Sequence, residues 1–125
     1  MNAALRESLY DLWEIGGLEL MGQGLNGLKR ELLLNIEVSG LDPGQHQIIR
    51  YHAVNRWDDT DEFIEYARPS QPLCTLAQEI TGITNEQLAH CRMSSAVMSD
   101  FIEFIGYSEL ISTNMDFDMG FINKS

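Results

Sequence analysis

The stretch that most restricts the fold is Leu32-Leu33-Leu34-Asn35-Ile36-Glu37-Val38, an apolar run broken by two polar residues set one apart. A short apolar run of this kind is expected as a strand buried on both faces. Residues two apart on a strand point to the same side, so Asn35 and Glu37 are placed together near the strand's centre. Oxygen-bearing groups in an apolar strand need hydrogen-bond partners or a metal, because unsatisfied burial is costly. From spacing alone, a structural hydrogen-bonding pair is the commoner outcome. Asp118, which follows a later strand, is a further oxygen-bearing group able to converge on the same place.

Turn chemistry follows at once in Gly40, Asp42, Pro43 and Gly44. Two further strands are expected over Gln47–Trp57 and Glu62–Arg68, and their short linkers favour an antiparallel meander. The acidic run Asp58, Asp59, Asp61, Glu62 and Glu65 reads as a solvated turn and strand edge.

Beyond Pro69 and Pro72 the pattern turns helical. A short helix is expected over Leu73–Ile80, ending near Gly82, and Thr84-Asn85-Glu86-Gln87 has the form of a capping box. Ser94 or Ser95 is the expected cap of a longer helix running to about Ile105. Glu109–Thr113 is a fourth strand, and a last helix starts near Met119. The order describes an α/β fold with a mixed sheet of three antiparallel strands plus one.

The first thirty residues differ in character, so the chain divides at 1–30 and 31–125. Leu5, Leu9, Leu12 and Trp13 recur at helical spacing from Ala3 to about Ile15, which predicts an amphipathic helix. Gly16, Gly17, Gly22, Gly24 and Gly27 then suit loops, with no phosphate-binding pattern among them. The helix must lay its apolar face on the domain's own sheet or on a partner. No stretch reaches the roughly 18 apolar residues of a membrane span, and charged residues interrupt the N-terminus. A soluble, cytoplasmic protein is expected.

Net charge is −11, from 8 basic against 19 acidic residues. That sign opposes a broad grip on phosphate backbones, though not a site whose positive charge comes from bound divalent ions. Cys74 and Cys91 match no metal motif, and His46, His52 and His90 form no ligand pair.

The letters around the polar pair carry more information. Asn35-Ile36-Glu37-Val38-Ser39-Gly40-Leu41-Asp42-Pro43, with Gln47 to Val54 after it, resembles the first motif of the DEDD-type (DnaQ-like) 3′–5′ exonuclease domain. Thr81-Gly82-Ile83-Thr84 before Gln87-Leu88 is similar to a second signature of that family. Thr113-Asn114-Met115-Asp116-Phe117-Asp118-Met119-Gly120-Phe121-Ile122 resembles its second catalytic motif. The resemblance spans about Leu32 to Ile122 and implies a ribonuclease H-like fold with an N-terminal helical extension. It implies Glu37 and Asp118 as catalytic and metal-binding positions, with Ser39, Gly40, Leu41, Asn114 and Phe117 on the substrate.

The departures cut against catalysis. Asn35 stands where the family has a metal-binding aspartate, and an amide holds a divalent ion less well than a carboxylate. Arg50 and His52 replace an acidic residue and a glycine. The third motif, with its general base and final aspartate, has no counterpart, so the domain is expected to be C-terminally short. Glu37 and Asp118 are therefore expected to be vestigial, and the chain to be inactive alone. Its expected role is protein interaction or self-association, through the N-terminal helix and a sheet face or edge left uncovered. The alternatives are a Mg2+- or Mn2+-dependent exonuclease completed by another chain, or a remnant that holds nucleic acid without cutting. In that last case Tyr51, Trp57 and Phe117 are stacking candidates, against the commoner role of core packing.

Overall fold

A computed structural model describes the backbone of residues 19–20 and the chain from 30 to 123. The strands are β1 (Glu19–Leu20), β2 (Glu31–Leu34), β3 (Glu37–Val38), β4 (Ile48–Asn55), β5 (Asp58–Tyr66) and β6 (Glu109–Ser112). The helices are α1 (Thr75–Thr81), α2 (Asn85–Leu88), α3 (Ser94–Ile105) and α4 (Met115–Ile122). The amphipathic helix expected over Ala3–Ile15 lies outside the described residues. Within the glycine-rich stretch, where loops are expected, Glu19 and Leu20 instead form a strand. Among the described residues no helix is long and apolar enough to cross a membrane.

The fold is α/β with a mixed sheet, as the residue pattern predicts. β4 pairs antiparallel with β2, β3 and β5, whereas β6 runs parallel to β2. At the outer edge β1 pairs antiparallel with β6, Glu19 opposite Ser112 and Leu20 opposite Ile111. The expected single strand over 32–38 is divided at Asn35–Ile36, and the register shifts between Glu37 and Val38. Backbone pairing still crosses the break, since the Asn35 N–H donates to the His52 carbonyl at 2.9 Å.

The β4–β5 hairpin starts earlier than the sequence suggests. Asn55 pairs with Asp58 across a two-residue turn, and the Asn55 Oδ1 accepts from the Trp57 N–H at 2.9 Å. The acidic residues 58–62 are thus strand, because Asp61 is held from two sides. Asn55 Nδ2 donates to it at 3.0 Å, and Arg30 closes on both its carboxylate oxygens. Arg30 also donates to the Phe104 carbonyl at 2.7 Å and lies 4.4 Å over the Phe104 ring, tying the sheet to the end of α3.

The two faces of the sheet are covered differently. Leu34, Ala53 and Phe63 are register partners on one face, and they belong with Tyr51, Val97, Phe101, Met115 and Phe121 to the cluster beneath α3 and α4. Phe101 stacks edge-on against Tyr51 at 5.1 Å and Phe63 at 5.2 Å. A second cluster joins Ile49 to Leu73, Ile83 and Leu88 under α1 and α2. On the opposite face Ile111, Leu33 and Val54 stand in one row across β6, β2 and β4. They are buried too, yet neither helix cluster contains them.

Helix ends follow local chemistry in part. The Thr84–Gln87 capping box forms with both of its bonds, and Gly82 closes α1 at φ 74°, a left-handed backbone that favours glycine. Ser94 and Ser95 do not cap α3; its cap residue is Met93. The Ser94 hydroxyl is buried instead, donating to the Ile48 carbonyl at 2.6 Å and meeting the Tyr51 hydroxyl at 2.8 Å. α4 begins at Met115, four residues earlier than expected, so Asp118 lies in its first turn.

Phe101 joins α3 to two strands at once, so its truncation leaves a cavity that no single element can collapse into. Phe101→Ala is expected to cost about 3–5 kcal/mol, read as a lower midpoint in urea with an unchanged slope.

Candidate functional site

β2 and β6 are parallel neighbours, with Leu33 opposite Ile111, so both run out at the same rim of the sheet. In open α/β sheets this rim, beyond the carboxyl ends of parallel strands, is where ligands bind. Asn35 leaves β2 there, and Ser112 ends β6.

Asp118 is fixed from below by Ser112. The Ser112 hydroxyl donates to Asp118 Oδ2 at 2.5 Å and accepts from the Asn114 N–H at 3.1 Å. Asn114 is the cap residue of α4, and its carbonyl accepts from the Asp118 N–H at 3.1 Å. Burial pushes the Asp118 carboxyl above the ordinary range, and the Ser112 bond only partly offsets this.

Glu37 faces Arg50 in register across β3 and β4. Partial burial raises its carboxyl, and the Arg50 charge pulls the other way. No ion pair closes between the two; Arg50 Nη2 instead lies 3.2 Å from His52 Nδ1. The other ring nitrogen, His52 Nε2, is 2.6 Å from the Glu62 carboxylate. A guanidinium only donates, so His52 Nδ1 is the acceptor, and its Nε2–H points at Glu62.

The loop after β3 closes the rim. Asp42 Oδ1 accepts from the Gly44 N–H at 2.9 Å, and the Asp42 carbonyl accepts from the N–H groups of Gln45 and His46. The Ser39 hydroxyl accepts from the Gln47 N–H at 3.0 Å. A Cβ on Gly40 would come within 2.5 Å of the His46 ring, so a larger residue there would have to displace that ring. The loop reaches α4, with Pro43 Cγ 3.5 Å from where a Cβ on Gly120 would stand.

Glu37, Ser39, Gly40 and Leu41 line one side of a groove of about 300 Å³, mostly apolar, and Leu76, Ala77 and Ile80 of α1 line the other. Leu41, Leu76 and Ile80 are 80%, 63% and 75% exposed. The structure thus brings four of the expected site residues together at this groove. Asn114 and Asp118 belong to the adjoining start of α4, while Phe117 is half-buried and packs on Phe121 at 5.2 Å. Of the other aromatics, Tyr51 is wholly buried, and Trp57 is exposed beneath the Arg56 guanidinium at 4.6 Å.

A pair of divalent ions about 4 Å apart needs several carboxylates converging on it. This rim offers Glu37 and Asp118 with the amide of Asn35. Among the described residues no three His, Cys, Asp or Glu side chains gather as a metal cluster. The described residues do not by themselves supply the donor set of a two-ion centre.

The sheet order, the motif-bearing rim and the helix carrying Asp118 define an α/β domain of ribonuclease H-like type. The chain belongs to the exonuclease family, whose sequence model matches residues 33–125. DNA polymerase III subunit epsilon of Rickettsia conorii is 37% identical over 98 residues, which is 75% of this chain and 43% of that protein. The PolC-type DNA polymerase III of Thermotoga petrophila is 34% identical over 93 residues, 73% of this chain and 7% of that one. The chain therefore spans less than half the length of these relatives. Escherichia coli exonuclease I, solved with a 5cy-dA13 oligonucleotide, shares the fold at a TM-score of 0.62 and 18% identity, covering 75% of this chain and 23% of that one. The nuclease domain of 3'hExo, a DEDDh family member solved with rAMP, does so at 0.51 and 22%, covering 65% and 46%.

Two residues that shape the rim escape a reading of the sequence. Ser112, which positions Asp118, had a faint signal as a hydroxyl closing an apolar strand just before the motif. His46, which packs on Gly40, had none, since the contact depends on how the loop folds back.

His52 provides a pH test. Burial holds its imidazole below the ordinary range, against the opposing pull of Glu62. The folded chain therefore binds fewer protons than the unfolded chain as pH falls through about 6.5, so acidification costs stability there. His52→Gln should flatten the fall of the urea midpoint between about pH 7.5 and pH 5.5; an unchanged slope would assign it to other groups.

Proposed function

We propose that this exonuclease-family domain does not hydrolyse nucleic acid as an isolated polypeptide and works as a protein-interaction or self-association module. The observation that carries this is Asn35 at the head of the rim, where the family motif has an aspartate. An amide supplies no negative charge to a divalent ion, and among the described residues the carboxylates beside it are Glu37 and Asp118. At about 1.4 kcal/mol per factor of ten, losing about 4–7 kcal/mol of metal-borne stabilisation removes roughly three to five powers of ten in rate. Of the remaining groups, Asp118 accepts a hydrogen bond from Ser112, and Glu37 stands opposite the Arg50 charge without pairing to it. Leu41, Leu76 and Ile80 supply the exposed apolar surface that a protein partner would bury.

A second reading, a domain that holds a 3′ end without cutting it, is favoured by one feature. Glu37, Ser39, Gly40 and Leu41, which match the motif, line an apolar groove wide enough to take a nucleobase. The third reading supplies the missing ligands from another chain and makes the assembly a Mg2+- or Mn2+-dependent 3′–5′ exonuclease.

A 5′-labelled single-stranded DNA or RNA incubated with the chain and manganese is expected to stay at full length on a sequencing gel. Shortening that disappears in both Glu37→Ala and Asp118→Ala would overturn the proposal. For the second reading, Leu41→Ala should weaken oligonucleotide binding about tenfold in fluorescence anisotropy, the factor that about 1.4 kcal/mol of lost apolar burial gives. Equal affinity would remove the groove from nucleic-acid contact.

A further inference from the structure

β5 forms one edge of the sheet: among the described residues its only strand partner is β4. In an antiparallel ladder alternate residues turn their backbone groups to the partner strand, and the residues between them turn theirs outward. Ala67 sets the parity. Its N–H donates to the Ile49 carbonyl at 2.8 Å, so Glu65 and Phe63 also face β4, while Arg68, Tyr66 and Ile64 face outward. At Arg68 the outward groups are taken: its N–H donates to the Arg92 carbonyl and its carbonyl accepts from the Ser94 N–H, both at 2.8 Å. Ile64 and Tyr66 have no such neighbouring strand among the described residues, and they stay 48% and 44% exposed. An open strand edge of this kind is a template for another strand. We propose that β5 takes up an extended basic segment of a partner protein, added as a further strand at Ile64 and Tyr66.

Three observations select that occupant. The backbone comes first, because an added antiparallel strand exchanges both N–H and C=O with Ile64 and again with Tyr66, extending the outward bonds already made at Arg68. The side chains come next. Ile64 and Tyr66 stand two apart on one face and suit apolar residues opposite them, whereas Glu65 between them points to the other face and suits a cation. Charge then decides between partners. β5 carries five carboxylates, of which Asp61 and Glu65 are ion-paired with Arg30 and Arg92, so the edge remains acidic. A second copy would set carboxylates against carboxylates, which destabilises a strand pair. A segment alternating basic and apolar residues meets both the charge and the two exposed side chains. This rests on the reading of the domain as an interaction module, and it gives that module a surface apart from the groove.

The probe is the acetylated, amidated peptide Lys-Val-Lys-Val-Lys-Val-Lys, added to the full chain, with amide hydrogen exchange followed by NMR. Exchange at Ile64 and Tyr66 is expected to slow at least about tenfold at saturation, while Phe63 and Glu65, already bonded to β4, change little. The same peptide with N-methylated valines, or with glutamate in place of lysine, should protect neither residue, and added salt should weaken the protection. No protection by the lysine peptide, or equal protection by the glutamate peptide, would overturn the proposal. Slow exchange at Ile64 and Tyr66 in the free chain would overturn it as well. Were that independent of concentration, the chain's own residues would cover the edge; were it lost on dilution, a second copy would. Failure at the edge leaves Leu41, Leu76 and Ile80 as the interaction surface, whereas shortening of the labelled oligonucleotide would strike the inactive-module reading and leave peptide binding untouched.

Discussion

The structure depends on β2 being buried on both sides. Leu32, Leu33 and Leu34 are all nearly inaccessible, so successive side chains enter two different apolar layers. Such a strand belongs in the middle of a sheet, and parallel pairing with β6 gives it a second neighbour. Because the two strands are parallel, their carboxyl ends meet at one rim, and Asn35 and the start of α4 meet with them. The position of the site follows from where three leucines are buried.

That rim balances its charge within the chain. Carboxylates gathered at one place repel one another unless a cation lies between them, and a metal-dependent exonuclease uses its ions for this. Here one potential carboxylate is the amide of Asn35, and a guanidinium stands opposite Glu37. Asp118 sits over a hydroxyl donor, and burial pushes both remaining carboxyls towards their neutral forms. The Arg50 charge opposite Glu37 and the Asn35 amide both make the rim less negative than three carboxylates would.

Local signals were legible where the chemistry is local. The capping box at Thr84–Gln87 and the glycine after α1 need only neighbouring residues, and both formed as the letters suggest. Ser94 looked like a cap because serine commonly is one, but the Ile48 carbonyl and the Tyr51 hydroxyl claimed it from more than forty positions away in the chain. The start of β5 was hidden for a related reason. Its acidic residues look solvated until Arg30, 31 positions earlier, is placed against Asp61. At the site, the motif letters identified Glu37 and the loop to Leu41, whereas Ser112 and His46 are defined by contacts that exist only after folding.

The acidic net charge weighs less on function than its size suggests. At physiological ionic strength, charges separated by more than about 8 Å are largely screened, so a ligand at the rim responds mainly to groups beside it. Those are Glu37 and Asp118, whose carboxyls burial raises above their ordinary range, and Arg50. On the function proposed above, holding a ligand falls to the apolar groove, while cutting it needs charge that Asn35 does not carry.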